Sequence, residues 1–185
     1  MRPSVSKFVQ AKHFRQGGGS RRVRLVVLHS AEAPEKPGTA QAIARWFAGP
    51  EAPMASAHYA VDAGDTVQCV LEGDVAFAAP GSNHDGIQIE LAGYARQEPE
   101  DWRDVYSTAM RERAAVLAAF ICADYRLPVE FVDAAGILAG KAGITTHAEV
   151  TKAYGLSTHT DPGKSFPMSD FVARVAELLQ REVPA

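Results

Sequence analysis

Between Val23 and Leu28 the chain is almost continuously apolar and rich in β-branched residues. A run this short, bounded by polar residues, reads as a strand buried on both faces rather than as a helix. Such a strand needs a covering layer on each side, so the chain is restricted to a sheet with helices packed against it. His29 follows at once. The end of a strand lies at the rim of its sheet, where a polar side chain can meet a ligand. The plain structural alternative is a histidine satisfied by a core carbonyl.

The remaining pattern agrees with an α/β fold: a central mixed β-sheet flanked by α-helices in a single domain. A loop with Pro34 and Pro37 leads to a helix capped by Thr39, running through Ala48 and stopped by Gly49-Pro50. Ala57 to Asp62 and Thr66 to Leu71 flank the turn Ala63-Gly64-Asp65 and form a hairpin. Gly86 to Leu91 reads as another central strand, with Gln88 and Glu90 on one face and Ile87 and Ile89 on the other. Met110, Ala114, Leu117 and Ile121 recur at helical spacing in a helix from about Tyr106 to Tyr125, and Pro128 forbids its continuation. Gly136 to Gly143 reads as a glycine-rich loop that delivers His147. A last helix starts at a Ser169 cap and aligns Phe171, Val172, Val175, Leu178 and Leu179 on one face. Residues 1–20, ending in Gly17-Gly18-Gly19-Ser20, read as a poorly ordered or loosely docked lead-in, and 21–185 as the functional domain.

At 185 residues the chain can bury one sizeable core. Its net charge of -3 gives no basic footprint for nucleic acid. The longest apolar stretch, Ala114 to Ala123, is far short of the roughly 18 residues a membrane span needs. The N-terminus lacks the apolar segment of a secretory signal. Cys69 and Cys122 read as two separate reduced thiols. A soluble monomer made in the cytoplasm is expected, with neither nucleic acid nor membrane as a partner.

Three residues able to bind a metal stand in structured surroundings: His29, His147 within Thr146-His147-Ala148-Glu149, and Asp161 within His159-Thr160-Asp161-Pro162-Gly163. Two imidazoles and a carboxylate supply three ligands for a tetrahedral Zn2+ and leave a fourth position for water. Structural zinc sites are usually closed by four protein ligands, so a three-ligand set points to catalysis. Each residue also has an ordinary reading, since Asp-Pro-Gly is a common turn and a strand-end glutamate such as Glu90 is commonly a solvated charge. His159, two residues before Asp161, could complete a closed structural site instead.

Taken in order, five segments make the chain similar to the type-2 N-acetylmuramoyl-L-alanine amidases, a zinc-dependent family that includes bacteriophage endolysins and peptidoglycan recognition proteins. They are Val26-Val27-Leu28-His29-Ser30, Ser56-Ala57-His58-Tyr59-Ala60-Val61-Asp62, Asn83-His84-Asp85-Gly86-Ile87-Gln88-Ile89-Glu90, Thr146-His147-Ala148-Glu149-Val150 and His159-Thr160-Asp161-Pro162-Gly163. The resemblance covers about Val23 to Leu179. It implies a mixed sheet with surrounding helices, zinc on His29, His147 and Asp161, and Glu90 as the acid-base residue. His159 matches a position often filled by lysine, and would donate to the developing oxyanion. Phe77-Ala78-Ala79-Pro80-Gly81 departs from relatives that carry a tryptophan-histidine pair, so altered substrate contacts are expected there.

The implied reaction is hydrolysis of the amide between N-acetylmuramic acid and the L-alanine of the peptidoglycan stem peptide. A phage endolysin, released to the cell wall after synthesis in the host cytoplasm, fits the absence of a signal segment. A cytosolic amidase recycling anhydro-muramoyl peptides and a non-catalytic peptidoglycan-binding module are the alternatives. Asn83 and His84, in the loop before the Glu90 strand, are expected to reach substrate. His58 reads as structural, Tyr59 as an outside candidate for an oxyanion contact, and Trp46 or Phe47 as a surface for sugar.

Overall fold

In a computed structural model, which describes residues 5–18 and 21–182, the described part of the lead-in already belongs to the fold. Strand β1 (Lys7–Phe8) adds in parallel to one edge of the sheet, and β2 (Phe14–Arg15) pairs antiparallel with a strand near residue 75. The described residues of the lead-in, 5–18, are thus docked rather than loose. Its backbone donates into the sheet from Ser6, Val9 and Ala11, at 2.8–2.9 Å. Gly19 and Ser20, the end of the glycine-rich run, lie outside the described residues.

The remaining elements are β3 (Leu25–Ser30), α1 (Thr39–Ala48), β4 (Tyr59–Val61), β5 (Thr66–Gln68), β6 (Val75–Ala76) and β7 (Gly86–Leu91). After a 3₁₀ turn at Asp101–Arg103 come α2 (Val105–Tyr125), α3 (Ala134–Leu138), β8 (Gly143–Thr146), α4 (His147–Tyr154) and α5 (Met168–Glu182). The main sheet has the order β1-β5-β4-β7-β3-β8, and β2 and β6 form a separate pair. Only β4 and β5, the expected hairpin, run antiparallel within the main sheet. Among the described residues no helix is long and apolar enough to cross a membrane.

Three expectations are corrected. Thr39 does not cap α1: Gly38 occupies the cap position with a left-handed backbone, and the Thr39 hydroxyl donates to the Pro34 carbonyl at 2.8 Å. Ser169 lies inside α5, which begins at Met168. The stretch Gly136 to Gly143 is not all loop: Gly136 to Leu138 belong to α3, and Gly143 opens a fully buried strand, β8, which pairs in parallel with β3 and leads into His147.

All six residues of β3 are buried, as a strand flanked by β7 and β8 and covered on both faces must be. One face packs Val26, Leu28, Ile87 and Ile89 against Met110, Ala114, Leu117 and Ile121 of α2 and Phe171 and Val175 of α5. The other face carries two smaller clusters, one under α1 and one under α3 and α4. The helix-spaced stripe of α2 is therefore core. Arg126 closes that helix in the left-handed region, two residues before Pro128. Leu117 has no solvent exposure. Leu117→Ala should lower unfolding free energy by about 2–5 kcal/mol, the usual cost of a buried leucine truncation. Urea denaturation checks this, and a change below about 1 kcal/mol would show a site that collapses freely around the lost atoms.

Candidate metal centre and active site

The parallel register assembles the site. His29 of β3 lies opposite Glu90 of β7, and Leu28 lies opposite Thr146 of β8, so His147 emerges beside His29 as the first residue of α4. Paired residues of neighbouring strands share a face, which brings three chain segments to one rim of the sheet. Thr146 caps α4, its hydroxyl accepting from the Glu149 amide at 3.2 Å, which fixes where the helix starts. Asp161 comes from the loop between α4 and α5, and its carbonyl accepts from the Ala148 amide at 3.0 Å. Gly163 has φ +96°, and a Cβ there would lie 2.0 Å from the Ala95 carbonyl oxygen. Only glycine lets this loop press against its neighbour so soon after Asp161.

The three side chains converge. His29 Nδ1 is 3.1 Å from His147 Nδ1 and 3.1 Å from Asp161 Oδ2, and Asp161 Oδ1 is 3.2 Å from His147 Nδ1. All three residues are buried, and one donor atom from each lies within 4.8 Å of the others. Asp161 Oδ1 is buried and, among the described residues, has no hydrogen-bond donor. Burial alone would push the His29 imidazole down, but Glu90 and Asp161 outweigh it and raise it to about 9. Burial likewise opposes the Asp161 charge, yet the adjacent His147 and His29 imidazoles hold its carboxyl far below the usual carboxylate range. His147 is lowered, first by burial and then by the neighbouring histidines, against the pull of Asp161. Two imidazole nitrogens and a carboxylate aimed at one point, with an orphaned oxygen among them, fit a zinc ion.

Glu90 sits beside this triad, with Oε2 buried and without a partner among the described residues. Burial raises its carboxyl to about 7; Asp161 and Glu32 add to the rise and His29 opposes it. His159 stands at the entrance. Its side chain is 65% exposed, its Nδ1 is 3.3 Å from Asp161 Oδ1, and its ring stacks on His147 at 4.5 Å and 12°. It does not join the converging set, which among the described residues has three members.

Asn83 and His84 are not in the site. They precede β7 and lie at the end of the sheet opposite Glu90. His84 faces Arg15, 3.3 Å from its guanidinium. Asn83 Oδ1 accepts from the amides of Ala78 and Ala79 at 2.9 and 2.7 Å, so it shapes the loop that lines the cleft. Tyr59 points into the α2 core and donates to Glu72 at 2.6 Å, which removes it as an oxyanion donor. The cleft itself has a volume of about 210 Å³ and is lined by the triad, Glu90, His159 and Phe77 among others. A groove of about 450 Å³ continues along α1, with Lys36 and Trp46, and another of about 410 Å³ along α4, with Lys152 and Lys164. Trp46 is 56% exposed while Phe47 is core, so only the tryptophan offers a face to ligand.

His58 is fully buried and structural. Its Nε2 donates to the Asp74 carbonyl at 3.1 Å, and its Nδ1 accepts from the Gln88 amide at 2.9 Å. Burial, helped by the Arg21 charge, pushes it from 6.5 down to about 3, against the Asp74 hydrogen bond. The folded chain therefore excludes a proton that the unfolded chain binds below about pH 6.5. Stability from this residue is present above that pH and is lost, by roughly 1.4 kcal/mol per unit, as pH falls toward 3. Urea unfolding at several pH values should show a shallower acid slope for His58→Gln than for the wild type; equal slopes would contradict this.

Two contacts behind the triad had no flag in the sequence. Gln88 Oε1 accepts from His29 Nε2 at 2.9 Å, and Ser157 Oγ lies 3.3 Å from His147 Nε2. Alternation placed Gln88 beside Glu90 but could not say that it reaches a neighbouring strand, and Ser157 sits in a loop without pattern.

A family model described as N-acetylmuramoyl-L-alanine amidase matches residues 19–164. Among curated proteins none matches the chain. Among solved structures, the Staphylococcus aureus hydrolase AmiA in complex with its ligand is 16% identical at a TM-score of 0.71, over 99% of this chain and 88% of that one. The N-acetylmuramoyl-L-alanine amidase LysC from Clostridium intestinale is 14% identical at 0.62, over 94% and 98%. A mutant endolysin from Bacillus subtilis is 16% identical at 0.63, over 92% and 99%. At these identities the structures show a shared fold, and the family model carries the assignment. The chain therefore belongs to the N-acetylmuramoyl-L-alanine amidase family and has the activity of a peptidoglycan amidase.

Proposed function

We propose that the chain is a zinc-dependent amidase that acts as a phage-type endolysin, cutting between N-acetylmuramic acid and L-alanine in intact cell wall. The observation that carries the zinc reading is the convergence of His29, His147 and Asp161 within 4.8 Å beside the unpartnered carboxylate of Glu90. His29 Nδ1, His147 Nδ1 and Asp161 would hold the ion. When bound, zinc supplies a Lewis acid that polarises an amide carbonyl and makes water acidic near neutral pH.

The chain's own residues do the proton work. Glu90 Oε2, free of other partners, takes a proton from the attacking water and returns it to the departing L-alanine nitrogen. A carboxyl near 7 is matched to both transfers at neutral pH. His159, exposed at the rim, donates a hydrogen bond to the substrate's carbonyl oxygen. The endolysin role is supported by the resemblance to endolysin folds and by the grooves on both sides of the site, which leave room for an extended polymer.

Mass spectrometry of products from purified sacculi and from soluble anhydro-muramoyl peptides tests the proposal. Free stem peptides with an L-alanine N-terminus, released from sacculi, are expected. Turnover confined to the soluble substrate would contradict the endolysin role and identify a recycling amidase.

A further inference from the structure

We propose that Gln88 is a positioning residue that fixes the protonation of the His29 ring, holding a proton on Nε2 and turning Nδ1 toward the metal position. This rests on the reading of His29, His147 and Asp161 as metal ligands.

Gln88 is fully buried on β7, on the same face as Glu90 and opposite Val27 in the register. A primary amide carries a donor end and an acceptor end, and which end points where is decided by its neighbours. The Gln88 Nε2 donates to the Ser82 carbonyl at 3.1 Å, with the Gly86 carbonyl at 3.5 Å. Carbonyl oxygens only accept, so the amino group must face them. Oε1 is then left to face His29 Nε2, at 2.9 Å. An amide oxygen also only accepts, so His29 Nε2 must carry the hydrogen.

The atom left over is Nδ1, which lies 3.1 Å from both His147 Nδ1 and Asp161 Oδ2. Whether or not it carries a proton toward Asp161 in the free protein, Nδ1 is the only ring nitrogen available to an ion. The backbone of Gln88 is clamped as well: its amide donates to His58 Nδ1 at 2.9 Å, and its carbonyl accepts from the His58 amide at 3.0 Å. Two carbonyls and a buried histidine thus set the direction of one amide, which sets the direction of one metal ligand. His147 differs. Its Nε2 meets the Ser157 hydroxyl, which can donate or accept and so imposes no protonation state.

Losing an outer partner of a metal-bound histidine typically weakens metal binding 10- to 100-fold. Gln88→Met keeps the volume and removes the acceptor, so zinc affinity should fall by about that factor. Gln88→Glu keeps an acceptor for Nε2–H while stripping the donor from Ser82, so it should bind zinc within about tenfold of the wild type even though both variants are less stable. A residue that merely filled space would not separate the two. Zinc affinity is to be measured on the full chain by chelator competition, alongside ¹⁵N NMR of the zinc-loaded wild type. Coordination of His29 through Nδ1, with a slowly exchanging Nε2–H, is expected. Coordination through Nε2, or a Gln88→Met protein that binds zinc as tightly as the wild type, would overturn the proposal. Should Gln88→Met not fold, the wild-type spectrum decides alone. A wild-type protein that takes up no zinc overturns the metal reading itself, and this inference with it.

Discussion

Asp161→Ala is expected to leave a folded protein that binds zinc more than about 100-fold more weakly and releases no stem peptide from cell wall. Loss of an outer-shell partner already costs 10- to 100-fold, so loss of a direct ligand should exceed it. Asp161 is the one anion of the triad, contacting His29 through Oδ2 and lying 3.2 Å from His147 through Oδ1. Without it, two imidazoles face each other at 3.1 Å with no anionic ligand between them to offset a cation. The fold should survive, because the link from this loop to α4 runs from the Ala148 amide to the Asp161 backbone carbonyl, which alanine retains. Circular dichroism, metal analysis and product release on the same preparation separate these effects. Zinc retained at wild-type affinity would remove Asp161 from the ligand set.

Glu90→Gln should give the opposite separation. Zinc content stays near that of the wild type, while turnover falls by about 10²- to 10⁴-fold, the usual contribution of a positioned proton-transfer group. Glutamine keeps the shape and loses only the capacity to take a proton. Glu90 stands opposite His29 in the register, close enough for each to shift the other's protonation, and its Oε2 has no competing partner. A loss smaller than about tenfold would mean that Glu90 is only part of a charged rim and that the proton goes elsewhere.

Much of this architecture was legible because burial leaves a periodic trace. The doubly covered β3, the alternating β7 and the stripe of α2 each follow from the spacing of apolar residues. What escaped was short or non-local. Strands β1 and β2 have two residues each, too few for a period, and exist because a neighbouring edge offers partners. Gly143-Ile144-Thr145-Thr146 is likewise too short to show a period beside the glycine-rich run that precedes it, and is a strand through its pairing with β3.

The ligand residues could be picked out by chemistry, but their meeting depends on parallel pairing between segments about sixty and more than a hundred residues apart. The same topology disposes of Asn83 and His84. A loop that enters a strand lies at the opposite end of a parallel sheet from the carboxyl ends, where open α/β sheets place their ligands. A histidine in such a loop looks functional only until the strand direction is considered. Tyr59 fails for a related reason: it is one residue from His58, and one residue turns a side chain to the other face of the sheet.

Zinc K-edge X-ray absorption on the purified, zinc-loaded chain tests the metal centre most directly. Two imidazole nitrogens, one carboxylate oxygen and one exchangeable oxygen are predicted around a single ion. A shell closed by four protein ligands, with His159 as the fourth, or a folded protein that retains no zinc at neutral pH, would contradict it.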